Sequence, residues 1–184
     1  MKYILEEGRP ANLDGRLDKE IRCYDLLDKL GLEYWRCDHP DANANTMADC
    51  LEIDSILEAV VCKNLFLCNR QHTQFYLLMM PGDKVFKTKE LSGQLGCARL
   101  SFAEPEYMEK YLDITPGSVS VLGLMNDSEN AVKLLVDKDV LAGEYVGCHP
   151  CINTTSLKLK KDDIFGPLLA AMHHDMTVVE LVGE

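Results

Sequence analysis

Val60-Val61 and Leu65-Phe66-Leu67, then Asn69-Arg70-Gln71-His72-Thr73, then Phe75-Tyr76-Leu77-Leu78-Met79-Met80, form two apolar runs around a polar, turn-forming loop. Such a pair of runs reads as a β-hairpin, and Pro81-Gly82-Asp83 ends it. Working outward, Leu17, Ile21, Tyr24, Leu27 and Leu30 recur at three- and four-residue spacing, one stripe of a helix that Gly31 terminates. Leu32 to Cys37 reads as a strand, His39-Pro40-Asp41-Ala42-Asn43 as a break, and Thr46 to Leu51 as a short helix. Further helices are expected from Lys87 to Leu95, stopped by Gly96, and from Glu104 to Leu112, with Pro105 in its first turn.

Beyond Pro116-Gly117, short strands are expected around Val119 to Leu124, Ala131 to Val136, Glu144 to Gly147 and Asn153 to Lys158. A last helix, capped by Asp162, reaches about Met172, and Thr177 to Leu181 closes a sheet edge. Helices interspersed among mainly hairpin-connected strands define an α+β class with a mixed, mainly antiparallel sheet, not a doubly wound one. No repeat, low-complexity tract or linker divides the chain, so residues 1–184 are expected to form a single domain.

The net charge of −11 argues against a broad basic surface for gripping nucleic acid, because phosphate neutralisation supplies most non-specific affinity. RNA contact would have to be local. Lys84 with Lys87 and Lys89, and Lys158 with Lys160 and Lys161, are the short basic stretches available, and each reads equally as a solvated face. No apolar run is long enough to cross a bilayer, and Glu6-Glu7 turns the start acidic, so the expectation is a cytoplasmic protein with no membrane partner. The 8 cysteines are expected to be reduced, with Cys23, Cys50 and Cys68 serving as small core residues.

Lys63 stands immediately before Leu65-Phe66-Leu67, so its ammonium either faces solvent at a strand end or is partly desolvated in a cleft. Gly147-Cys148-His149-Pro150-Cys151-Ile152-Asn153 has three readings. It is a Cys-x-x-Cys redox pair, a zinc site drawing further ligands from Cys37, His39, His173 or His174, or a substrate loop in which Gly147 admits a close approach and His149 offers a ring. Gly117-Ser118-Val119-Ser120-Val121-Leu122-Gly123-Leu124 can expose backbone N–H groups to a developing oxyanion, or is a plain turn. Asn126-Asp127 reads as a turn and His173-His174 as a solvated helix end. No Gly-x-Ser-x-Gly elbow or His-Glu-x-x-His motif is present, which leaves little support for a protein-borne nucleophile.

In order, His39-Pro40, Lys63-Asn64-Leu65-Phe66-Leu67, the stretch from Gly117, Asn126-Asp127, and His149-Pro150 with Asn153 and Thr154 resemble the YbaK/ProX family. This is the prolyl-tRNA synthetase editing-domain family, and the likeness points to its free-standing ProX (PrdX-type) alanyl-tRNA deacylases. It covers roughly residues 17 to 172. The resemblance implies a sheet curled into a barrel-like core with helices around it, and a cleft for the aminoacylated 3′ end of tRNA. It implies a trans-editing hydrolase acting on mischarged tRNA(Pro), alanyl-tRNA(Pro) before cysteinyl-tRNA(Pro), with prolyl-tRNA synthetase as a further partner and without cofactor or metal. It also implies catalytic roles for Lys63, Gly117 and His149, with His39, Asn64, Ser118, Val119, Gly147, Pro150 and Asn153 around the substrate. The family loop reads Gly-x-x-x-Pro, and here Val121 stands where the proline would stiffen it.

Overall fold

The computed structural model describes residues 3–40 and 47–183; the expected break at Asp41-Ala42-Asn43 and helix start at Thr46 lie outside them. The elements are β1 (Glu6–Glu7), α1 (Asp18–Lys29), β2 (Tyr34–Asp38), α2 (Met47–Leu57), β3 (Val60–Cys68), β4 (Phe75–Pro81), α3 (Thr88–Leu95), β5 (Ser101–Phe102) and α4 (Pro105–Leu112). They continue with β6 (Val132–Asp137), β7 (Tyr145–Cys148), β8 (Thr155–Lys160) and β9 (Met176–Val179). The strands join one nine-stranded sheet in the order β1-β2-β8-β7-β3-β4-β6-β9, with β5 beside β3. Its two ends, β1 and β9, do not pair, so the expected barrel-like curl stays open. Pairing is antiparallel except at β3·β7, β4·β6 and β6·β9.

The expected hairpin is β3 and β4, in register from Cys62↔Pro81 to Cys68↔Phe75. Its apolar residues alternate between two faces, as strand geometry requires. Phe66, Cys68, Leu77 and Met79 enter a main core with Cys23, Tyr24 and Leu27 of α1 and Met108 and Leu112 of α4. Leu67, Leu78 and Met80 face the other way, against Leu91 of α3. On that second face α2 covers the other half of the sheet, its Ile53 and Leu57 packing with Cys37 of β2 and Tyr3. Full burial of such side chains stabilises by roughly 1.5–3 kcal/mol each, which fixes both helices on the sheet.

Four expectations are corrected. Lys63 lies inside β3 rather than ahead of it, because the strand runs unbroken from Val60 to Cys68. Val121–Asn126 is a 3-10 helix, not strand: the Ser120 hydroxyl caps it by accepting from the Leu122 N–H. Gly123 lets it press on α4, since a Cβ there would stand 3.2 Å from Leu112 Cβ. The last helix, Lys161–Asp163 and Leu169–Ala171, is interrupted by a π turn at Ile164–Leu168 around Pro167, which has no N–H to give. Its N-cap is Lys160, and Asp162 does not cap it.

His174 is the fourth: it is buried, not solvated. Its Nε2 lies 3.0 Å from Asp127 Oδ2 and its Nδ1 2.7 Å from the Met172 carbonyl. Asp127 also accepts from the Ala131 and Val132 N–H groups, so this carboxylate ties the start of β6 to the C-terminal segment. Removing one member of such a buried set costs about 3–5 kcal/mol, whereas an exposed ion pair is worth at most about 1. Asp127→Ala is therefore expected to lower the urea midpoint sharply, and Asp25→Ala, at the exposed Arg9 pair, to leave it nearly unchanged; equal shifts would contradict this account.

Candidate functional site

β3 carries two neighbours on the edge away from β4. β7 pairs with it at Val60 and Val61, β5 at Leu67 and Cys68, and Ala103 N–H reaches the Phe66 carbonyl. Between these contacts residues 62–65 have no strand partner on that edge among the described residues. There β3 and β7 part, and a cavity of about 290 Å³ opens, walled by Cys50, Ile53, Asp54 and Leu57 of α2, by Val61 to Asn64, and by Gly147, Cys148, His149 and Ser156.

Lys63 lines this cavity with no carboxylate or hydrogen-bond partner among the described residues. Asn64 Oδ1 is buried and unbonded, an arrangement that costs free energy unless a ligand donates to it. His149 Nδ1 lies 2.8 Å from the Thr155 carbonyl. A carbonyl only accepts, so Nδ1 carries the proton and Nε2 offers its lone pair. The Thr155 hydroxyl donates to Asp38 Oδ1 at 2.8 Å, and Arg16 holds Asp38 through Nη2 to Oδ2 at 3.0 Å. Burial alone would raise the Asp38 pKa, but the bonds from Arg16 and Thr155 hold it below the usual carboxylate range.

Burial pushes the His149 pKa down, and burial with the neighbouring His149 does the same to His39. His39 Nε2 bonds Ser156 Oγ at 2.9 Å and its ring meets that of His149 edge-on at 6.4 Å between centroids, while its Nδ1 is buried without a partner. His39 thus braces the cavity wall from behind.

The residues singled out in the sequence fall into two groups. Lys63, Asn64, Gly147 and His149 meet at this cavity, with His39 adjoining. Ser118 and Asn153 line a second cavity of about 450 Å³, beside Arg16, Asp38 and Thr155. Gly117 belongs with them: its φ of 92° suits glycine, and a Cβ there would stand 3.8 Å from Asn153 Nδ2. The Ser118 N–H is already committed to the Thr115 carbonyl. Val119 belongs to the main core, and Pro150 is buried in the loop between the two cavities. Val121 is fully buried beneath the Ser120 cap, so packing supplies the rigidity that a proline would have given the loop.

Asp54 was not legible as a site residue; only the packing of α2 places it on the cavity wall, where burial raises its pKa. The Cys-x-x-Cys readings find no support in the geometry. Cys151 Sγ lies 3.7 Å from Cys23 Sγ rather than pairing with Cys148. Burial raises the thiol pKa of Cys148, and that of Cys62 to about 12, which disfavours the reactive thiolate. Among the described residues no three His, Cys, Asp or Glu side chains are placed to hold a metal ion, and no helix is long and apolar enough to cross a membrane.

An open mixed sheet thus brings a lysine, an amide and a partly buried histidine together where two strands part. The chain belongs to the aminoacyl-tRNA editing domain family, whose model matches residues 41–165. It is 30% identical over 138 residues, 75% of this chain and 83% of the relative, to the prolyl-tRNA editing protein ProX of Acetoanaerobium sticklandii. It is 28% identical over 94% of its length, and 92% of the relative, to prolyl-tRNA synthetase associated domain-containing protein 1 of Danio rerio. The fold is shared with the crystal structure of a candidate trans-editing enzyme for prolyl-tRNA synthetase, at a TM-score of 0.65 and 16% identity over 90% of this chain and 98% of that one.

The two lowered histidine pKa values set a pH dependence with a definite sign. A histidine kept neutral by burial protonates more readily in the unfolded chain, so the unfolded state binds more protons once pH falls through about 6.5. Stability is complete above that value and declines below it. Asp38, shifted down, acts only near and below the ordinary carboxylate pKa and does not contribute in this window. The thermal midpoint is expected to drop between pH 7.5 and 5.5, with a shallower slope in His149→Gln; parallel slopes would show that His149 is not a source.

Proposed function

We propose that the chain is a trans-editing hydrolase that cleaves the ester joining alanine to the 3′ end of tRNA(Pro), clearing an error of prolyl-tRNA synthetase, and that its 184 residues act as one domain. The observation that carries this reading is the composition of the β3 cavity: one cation, Lys63, unpaired among the described residues, beside the unfilled acceptors Asn64 Oδ1 and His149 Nε2, with the Asp54 carboxyl on the wall. Family membership and the ProX and Danio rerio relatives support tRNA as the substrate class.

An aminoacyl ester presents an anionic phosphate on one side and an α-ammonium on the other. Lys63 anchors the phosphate end as an electrostatic contact rather than as a nucleophile. The ammonium of alanine donates to Asn64 Oδ1 and His149 Nε2, near the negative charge of Asp54. Proline offers one N–H fewer and a ring that must pass between Ile53, Leu57 and Cys148, so it fits less well. A synthetase pocket gains only about 1–3 kcal/mol from the methylenes that alanine lacks, which makes a second, hydrolytic site effective. The ester is activated, so a positioned water and a stabilised oxyanion suffice without a covalent intermediate. Because Ser118 lines the other cavity and Gly117 stands beside Asn153 there, the Gly117 loop braces the segment that carries His149, and Lys63, the one cation lining the first cavity, serves the developing oxyanion as well as the phosphate.

Alanyl-, cysteinyl-, seryl- and prolyl-tRNA(Pro) assayed in parallel test the assignment, with alanyl-tRNA(Pro) expected to be hydrolysed fastest and prolyl-tRNA(Pro) spared. Lys63→Ala is expected to lower kcat/KM by a hundredfold or more, the scale of one lost charge-stabilising contact, and Asn64→Ala mainly to raise KM. Faster cleavage of cysteinyl-tRNA(Pro) would overturn the choice of alanine, and an active Lys63→Ala would overturn the site.

A further inference from the structure

The second face of the sheet carries, beyond α2, a cluster that the cavity does not use. Lys158 on β8 places its Nζ 4.3 Å from the ring centroid of Tyr145 on β7 and 5.6 Å from that of Trp35 on β2. The two rings meet edge to face at 5.8 Å. All three side chains are partly exposed, and Lys158 has no carboxylate partner among the described residues. Lys160 stands opposite Tyr145 in register and extends the positive edge. Of the other basic side chains considered in the sequence, Lys84 is engaged with Asp137, Asp139 and the Leu181 carbonyl and Lys161 with the Leu141 carbonyl, while Lys87 and Lys89 stand at the start of α3, away from these strands.

Register ties this cluster to the site. Trp35 pairs with Lys158, and Lys158 with Gly147, which lines the Lys63 cavity. Strands lie about 4.8 Å apart, so Trp35 is about 10 Å across the sheet from the cavity wall. Leu57, at the end of α2, packs over Gly147 and divides the two.

We propose that Trp35, Tyr145 and Lys158 form a stacking platform for the unpaired nucleotides that precede the esterified adenosine of the tRNA. The proposal rests on the aminoacyl-tRNA reading of the Lys63 cavity. A protein of net charge −11 must confine its RNA contacts. Aromatic rings with an interleaved cation bind single-stranded nucleotides by stacking and phosphate attraction without needing a basic surface. A stacked strand advances about 3.4 Å per nucleotide, so about three nucleotides span the gap between platform and cavity. Glu7, opposite Trp35 on β1, closes the far edge to phosphate and directs the backbone toward Lys158 and Lys160.

Trp35 is the chain's 1 tryptophan, so its fluorescence reports the platform alone. Titrating the full chain with a short uncharged RNA ending in CCA is expected to quench that emission saturably, and Lys158→Ala to weaken the interaction about fivefold or more. With labelled RNA read by anisotropy, Trp35→Ala weakens binding similarly while Trp35→Phe retains it, which separates lost stacking from lost folding. On alanyl-tRNA(Pro) the Lys158→Ala defect is expected in KM, with kcat within about twofold. RNA that binds without quenching overturns the platform, as does equal quenching by polyglutamate or heparin. A chain that hydrolyses no aminoacyl-tRNA but is quenched by CCA-ended RNA would overturn the editing assignment and leave the platform standing.

Discussion

Everything at the site follows from the double commitment of one edge of β3. A strand edge satisfies its N–H and C=O groups only where a neighbour runs beside it. β7 serves the first residues of β3 and β5 the last, leaving a gap between them. In that gap the two halves of the sheet separate while the β3–β4 pairing stays continuous. The cavity is therefore a consequence of strand pairing, framed by the continuous β3–β4 ladder. Its α2 wall is packed through Ile53 and Leu57 onto the second face.

The electrostatics are arranged on the same frame. In a chain rich in carboxylates, Lys63 has none as a partner among the described residues. His149 is treated oppositely. The chain Arg16, Asp38, Thr155 fixes its ring from behind and selects the tautomer, while burial keeps it neutral. Cation and lone pairs thus coexist in one cavity without neutralising each other, a condition suited to a ligand that is itself anionic at one end and cationic at the other. The second cavity, beyond the His149-to-Asn153 loop, shares Asp38 and Thr155 with this chain.

Rigidity in the Gly117 loop comes from a route that the local sequence did not advertise. Val121 takes the place of a conformationally fixed proline, and the Ser120 cap with full burial of Val121, Leu122 and Leu124 restrains the same backbone. The apolar run that reads as strand from Val119 is helical because Gly123 lets it close on α4. Cys23 and Cys151 illustrate the same dependence: spacing suggests Cys148 as the partner of Cys151, yet α1 brings the Cys23 sulfur to 3.7 Å from it.

By itself the sequence determined the elements whose signals are local. These are the α1 stripe with its Gly31 stop, the β3–β4 hairpin, the helices ending at Gly96 and beginning at Pro105, and the membership of the editing-domain family. Periodicity, capping and turn chemistry act over a few residues, so they survive in a linear reading. Tertiary structure alone decided which residues share a cavity, that Asp54 joins it while Gly117 does not, that His174 is buried on Asp127, and that Lys158 lies between two rings. Those outcomes depend on strand register and on which helix covers which half of the sheet. These are set by the burial of apolar side chains distant in the chain, and no local spacing encodes them.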